Sequence, residues 1–136
     1  MEALLPASAA TLAKPQGELA IRTVAMPADT NPNGDIFGGW VLSQMDMAGG
    51  LIATRRAQGR VATVAIATMS FHHPVFVGDE VSCYGEITKI GNTSITIKVE
   101  SWVRRGRGGD ELKVTEGVFT FVAIGEDRKP RQVPAG

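Results

Sequence analysis

In the second half of the chain, polar and apolar positions alternate with a period of two. Ile95, Ile97, Val99, Ser101 and Val103 share one face, and Thr96, Lys98, Glu100, Trp102 and Arg104 share the other. That period predicts a strand with one face packed and one face wet. β-branched runs predict further strands over 18–26, 60–75, 80–90 and 112–125. Between them lie the Gly78-Asp79 and Gly91-Asn92 turns, a Pro/Asn/Gly-rich loop over 27–35, and the charged loop "RGRGGDE". One segment breaks the pattern. From Trp40 to Gln58 there are helix formers and no proline, with Arg55 and Arg56 in the last turn and Gly59 as the expected left-handed stop. Its apolar residues spread over most of the circumference, which predicts a buried helix. Gly49 and Gly50 each weaken it by roughly 1 kcal/mol relative to Ala, and close approach of another backbone is the expected compensation. Asp46 shares a side with Leu42, Gly50 and Ala53, away from bulk water.

The resulting order is strand, loop, helix, then four strands. It predicts an α+β domain over 18–125, in which a curved antiparallel sheet of about five strands wraps one long central helix, the hotdog pattern. A small sheet leaves two edges, and pairing with a second copy would hide one. Residues 1–17 read as a flexible leader and 126–136 as a loose polar tail.

Composition narrows the function. In 136 residues, Lys+Arg and Asp+Glu both number 14, so the net charge is zero. That argues against a general nucleic-acid binder. No apolar run reaches the about 18 residues of a membrane span, and no basic stretch precedes the small apolar residues of a signal-like leader. One cysteine, Cys83, excludes a disulfide framework and fits a reducing cytoplasm. With one Cys and two adjacent His, zinc spacing is not available.

The candidate chemistry lies in "NPNGDIFGGWVLSQMDMAGG". Gly38 and Gly39 make a tight turn; they also open the helix, where bare N–H groups and the helix dipole could hold an oxyanion. Asp46 is either paired for structure or a general base or nucleophile in a partly dry pocket. Asn31 is a turn former, and a neutral donor and acceptor ahead of the helix.

These stretches, with "GRVATVAI", "HPVFVGDEVSCYGEITKIGNTSITIKVESWV" and "VTEGVFTFVAI", resemble the YciA-type acyl-CoA thioesterases of the hotdog superfamily over roughly residues 20–124. The resemblance implies hydrolysis of acyl-CoA to acid and CoA with broad acyl tolerance, no metal and no cofactor beyond CoA as substrate. It implies homodimers, assembled as a homohexamer. Asp46 matches the catalytic acid, and Asn31 an active-site Asn that faces it from another subunit. Thr68, Met69 and Ser70 lie on the strand that would pair across the dimer beside the acyl tunnel. Arg60, Arg104 and Arg105 are candidates for the CoA phosphates. Two departures stand out. Phe37 replaces a His of related hydrolases, and His72 and His73 are unexpected and carry no assigned role, one expected packed and one solvated. A non-catalytic acyl-CoA-binding module is the alternative, and an acyl-thioester hydratase a more distant one, since that chemistry usually needs an active-site His.

Overall fold

The computed structural model describes residues 14–136; most of the expected leader lies outside that range. Five strands and one long helix follow in the expected order: β1 (Glu18–Val24), α1 (Gly38–Ala57), β2 (Val61–Phe71), β3 (Glu80–Ile90), β4 (Ser94–Arg104) and β5 (Leu112–Ala123). A 3-10 turn, Pro27–Asp29, precedes α1. All strands join one antiparallel sheet in the order β1-β3-β4-β5-β2. β1 and β2 are therefore its edges.

The two-residue period of β4 holds. Ile95, Ile97, Val99, Ser101 and Val103 are buried against α1. The outer face is also well covered where Glu100, 2% exposed, accepts hydrogen bonds from the Trp102 indole (2.9 Å) and the Gln16 amide (3.2 Å). Lys98 and Lys113 approach the same carboxylate at 3.5 and 3.4 Å. A buried carboxylate is tolerated only with partners of this kind, and the Gln16 bond lays the start of the described chain on the sheet.

Several local expectations change. α1 ends at Ala57, and its left-handed stop is Gln58 (φ 54°), not Gly59. Gly59 instead lies under the Arg131 guanidinium, 2.5 Å from where its Cβ would be. That guanidinium donates to the Ala57 and Ile124 carbonyls, satisfying a helix-end acceptor. The tail is not loose. Arg131 and Val133 donate to Ala123 and Asn92, Val133 is buried, and Arg56 holds the Pro134 carbonyl.

The helix is not buried all round. One face, through Val41, Met45, Ala48, Ile52 and Ala53, is packed on the sheet, whereas Met47 (50%) and Leu51 (47%) on the other are half exposed. One sheet can cover only one side of a cylinder. The glycine pair also splits. Gly49 approaches a ring, not a backbone: a Cβ would lie 2.9 Å from Phe121 Cζ and 3.3 Å from Val99 Cγ2. At Gly50 the nearest atom is at 3.8 Å. Gly49→Val is therefore expected to lower stability by about 2 kcal/mol or more through overpacking, and Gly50→Ala to raise it by up to about 1 kcal/mol through helix propensity. Urea unfolding of both variants checks the contrast.

Candidate functional site

Asp46 stands in the third turn of α1 and is half-buried. The Thr63 hydroxyl, on edge strand β2, donates to Asp46 Oδ1 at 2.7 Å. The bond fixes one carboxylate oxygen and leaves Oδ2 free to accept a proton or to attack. Thr63 escaped the sequence reading, because a Thr in a β-branched run carries no signal of its own. Only the packing of β2 beside α1 brings it to Asp46, 17 positions away. Thr63→Val should keep the fold and lower kcat by about tenfold, with KM little changed, since it removes a positioning hydrogen bond worth about 1–1.5 kcal/mol. Steady-state kinetics reads the split.

Around the pair lies an open groove of about 400 Å³, walled by Ile21, Met47, Leu51, Val61 and Phe121. Among the described residues its lining contains one ionisable group, Asp46. A carboxylate at the edge of an apolar trough is where an ester or thioester with a hydrocarbon tail could be attacked.

The oxyanion candidates lie elsewhere on the helix. Phe37 is the N-cap residue, no side chain caps the helix, and no acid sits in its first turn. The opening N–H groups of Gly38 and Gly39 therefore have no side-chain competitor. Gly38 lies against the Phe71 ring, 3.7 Å from where its Cβ would be. Along the helix axis Gly38 and Asp46 are about 12 Å apart.

Asn31 does not line the Asp46 groove. Its Oδ1 accepts from the Asn33 and Asp35 amides at 2.9 and 3.1 Å, the turn-forming use of Asn. Thr68 is half of a bulge. The β2–β5 register shifts between Ala67 and Ser70, and Thr68 takes φ 56°, unusual for a β-branched residue. Met69 turns inward over Gly117, whose missing side chain makes the room. Ser70 resumes the ladder opposite Glu116.

The arginines divide. Arg104 is paired with Glu80 (3.6 Å) and Glu111 (3.4 Å). Arg105 holds the buried Asp79 at 3.1 Å, donates to the Pro74 carbonyl and stacks on Phe76. Arg60 is exposed, and no ion pair to it is found among the described residues. His72 and His73 are both exposed, because β2 ends at Phe71 and neither lies in the strand. Cys83 is fully buried, and burial pushes its thiol up to about 12, so it stays protonated and inert. Among the described residues no cluster of His, Cys, Asp or Glu could hold a metal, and no helix is long and apolar enough to cross a membrane.

Residues 33–109 match the family model described as Thioesterase superfamily. The acyl-CoA thioester hydrolase YciA of Salmonella typhimurium is 53% identical over 123 residues, spanning 88% of this chain and 92% of its own. The Escherichia coli protein of the same name is 50% identical, spanning 88% and 93%. Among solved structures, a hexameric thioesterase from Yersinia pestis superposes with a TM-score of 0.87 at 54% identity, covering 90% of this chain and all (100%) of the other. A hexameric broad-specificity acyl-coenzyme A thioesterase, solved as an aspartate-to-alanine variant, gives 0.85 at 51% identity and covers 88% of each.

Proposed function

This chain belongs to the thioesterase superfamily, and from that premise we propose that it hydrolyses acyl-CoA thioesters to a free carboxylic acid and CoA. The observation that carries the reading is the Asp46 carboxylate, held by the Thr63 hydroxyl at the edge of an apolar groove. The relatives named above are acyl-CoA thioester hydrolases and hexameric thioesterases.

In this reading Asp46 acts in one of two ways. It takes a proton from a water that adds to the thioester carbon, or its free oxygen attacks that carbon and forms a mixed anhydride that water then cleaves. In both, the carbonyl oxygen gains negative charge, the C–S bond breaks and CoA leaves as a thiolate. A thiolate needs no strong general acid, so one carboxylate suffices.

The site is completed by a second copy. A reacting carbonyl must lie about 3 Å from its oxyanion donors and about 3–3.5 Å from its nucleophile. The about 12 Å between Gly38 and Asp46 on one helix does not allow one chain to supply both. β2 suggests the arrangement. Asp46 lies beside Thr63 near one end of the strand, and Gly38 beside Phe71 at the other. Two copies of β2 paired antiparallel about a two-fold axis would set Gly38 of the partner subunit close to Asp46 of this chain. The same pairing would cover Met47, Leu51 and Val64, all about half exposed in the single chain. Asn31 would reach the site from that side too. Three such dimers would make a hexamer like those of the relatives.

Gly39 shares the oxyanion role with Gly38, and the Thr68–Ser70 bulge would meet the substrate along the paired edge. Arg60, Arg104 and Arg105 are the cations for the CoA phosphates. Arg104 and Arg105 would have to exchange Glu80, Glu111 and Asp79 for phosphate oxygens.

A thiol-trapping assay with acetyl-, butyryl-, octanoyl- and palmitoyl-CoA tests the reading. Release of one thiol per thioester, at a rate set by enzyme concentration, is expected. Binding of acyl-CoA without thiol release would instead favour a binding module. The buried, protonated Cys83 adds no signal of its own while the protein is folded.

A further inference from the structure

We infer that Asp79 and Arg105 are positioning residues: they clamp the loop between β2 and β3 and, through it, aim the N–H groups of Gly38 and Gly39 at the oxyanion. The inference rests on the hydrolase reading above and adds the residues that hold its oxyanion donors in place.

No side chain caps α1, so the main chain ahead of Gly38 sets where the first N–H groups point. Two hydrogen bonds tie that segment to other parts of the fold. The Ile36 amide donates to the Val75 carbonyl at 3.2 Å, and the Phe37 amide donates to the Asp29 carbonyl at 3.0 Å. Both ties lead to Asp79. Val75 enters the turn that Asp79 closes: the Phe76 amide donates to Asp79 Oδ2 at 2.9 Å, and the Asp79 amide donates to the Phe76 carbonyl at 3.0 Å. Asp29 ends the 3-10 turn that follows Ala25 and Met26. There the Ala25 amide donates to the Asp79 carbonyl (3.0 Å), and the Ala25 carbonyl accepts from the Gly78 amide (2.8 Å). Ala25, Ile36 and Val75 are all buried, so a shift of the turn is passed on to the segment before α1.

Arg105 grips the same turn. Its Nε donates to the Asp79 carboxylate at 3.2 and 3.1 Å, Nη2 donates to the Pro74 carbonyl at 2.7 Å, and the guanidinium lies 4.5 Å from the centre of the Phe76 ring. The Asp79 side chain is 5% exposed. A carboxylate so buried is strongly destabilising without its cation, so a phosphate that drew Arg105 away would open the clamp. Arg105 therefore has a task inside the protein besides the CoA contact named above, and the two tasks predict different kinetics. A phosphate contact acts on the CoA part of the substrate. A clamp acts on the reacting carbonyl, whatever thiol carries the acyl group.

The test compares the wild type, Asp79→Asn and Arg105→Gln on butyryl-CoA and on butyryl-pantetheine, which keeps the arm and lacks the nucleotide phosphates. Asparagine at position 79 keeps the oxygen that the Phe76 amide donates to and loses only the charge. Each variant should lower kcat about tenfold on both thioesters with KM within about twofold, because a small misplacement of an oxyanion donor costs that much. Amide hydrogen exchange supplies a readout independent of turnover. Residues 35–39 should exchange faster together with 74–79, while β4 stays as protected as in the wild type. If Arg105→Gln does not fold, the double variant Asp79→Asn/Arg105→Gln leaves no buried charge unpaired and takes its place, with the same expectation. A wild-type kcat in Asp79→Asn overturns the inference. So does an Arg105→Gln protein that raises KM for butyryl-CoA and leaves butyryl-pantetheine untouched, which would make Arg105 a phosphate contact alone. Exchange that rises evenly over the whole chain, or not at all in 35–39, overturns it too. Absence of thiol release from both thioesters by the wild type is a different failure, that of the hydrolase reading; hydrogen exchange then decides whether the clamp orders the start of α1.

Discussion

Asp46→Ala and Asp46→Asn are both expected to cut kcat by about two to four orders of magnitude, the usual worth of a positioned general base or nucleophile. The fold should survive either change. Asp46 is half-buried, its one hydrogen-bonding partner among the described residues is the Thr63 hydroxyl, and it makes no ion pair there. Asparagine keeps the oxygen that Thr63 donates to and nearly the same volume, so only the charge and the basicity are lost. Thermal unfolding should therefore stay within a few degrees of wild type, and acyl-CoA should still bind. Turnover of Asp46→Asn near the wild-type rate would remove the carboxylate from the mechanism and with it the proposed reaction. A large drop in thermal stability would instead mark Asp46 as a structural group.

The second large effect concerns two chains. Asp46→Ala and Asn31→Ala proteins should each be nearly inactive alone, yet active together. If each site takes Asp46 from one chain and Asn31 from the other, a hybrid dimer holds one doubly altered site and one intact site. Random pairing makes about half of the dimers hybrid, so co-expression should restore about a quarter of wild-type activity. In a hexamer of three such dimers almost every particle carries both chains, so purification on two different tags leaves this at about a quarter while removing single-variant particles. If both residues served the same chain's site, no hybrid would contain an intact one, and activity would stay at the level of the single variants. The local turn that Asn31 closes through the Asn33 and Asp35 amides makes a control necessary. Asn31→Asp retains that acceptor and should fold normally, which separates loss of the turn from loss of the amide group.

Much of the architecture was legible in the chain because it depends on local periodicity. The alternation through β4 and the turn residues at Gly78 and Gly91 locate elements without knowledge of their partners; β3 and β4 fall where the pattern puts them. Asp46 was legible for a related reason: a lone carboxylate in an apolar helix is a conflict that composition alone exposes. The misread features share a different cause. The guanidinium against Gly59, the pinned tail and the ring against Gly49 all depend on Arg131, Val133 and Phe121. Those residues are remote in sequence, and no window of chain contains both partners. The half-exposed Met47–Leu51 face of α1 was misread because hydrophobicity states only that a surface avoids water. It does not state whether the same chain or another one will cover it.

The sequence by itself determined the order of elements along the chain, the helix among them and the presence of an acid within it, because those follow from spacing along one dimension. Tertiary structure decided that Thr63 meets that acid, that Arg104 and Arg105 are taken by carboxylates, and that an apolar groove runs from Asp46 toward Thr54. Each of these is a contact between segments whose separation along the chain says nothing of their distance in space, and packing alone fixes it.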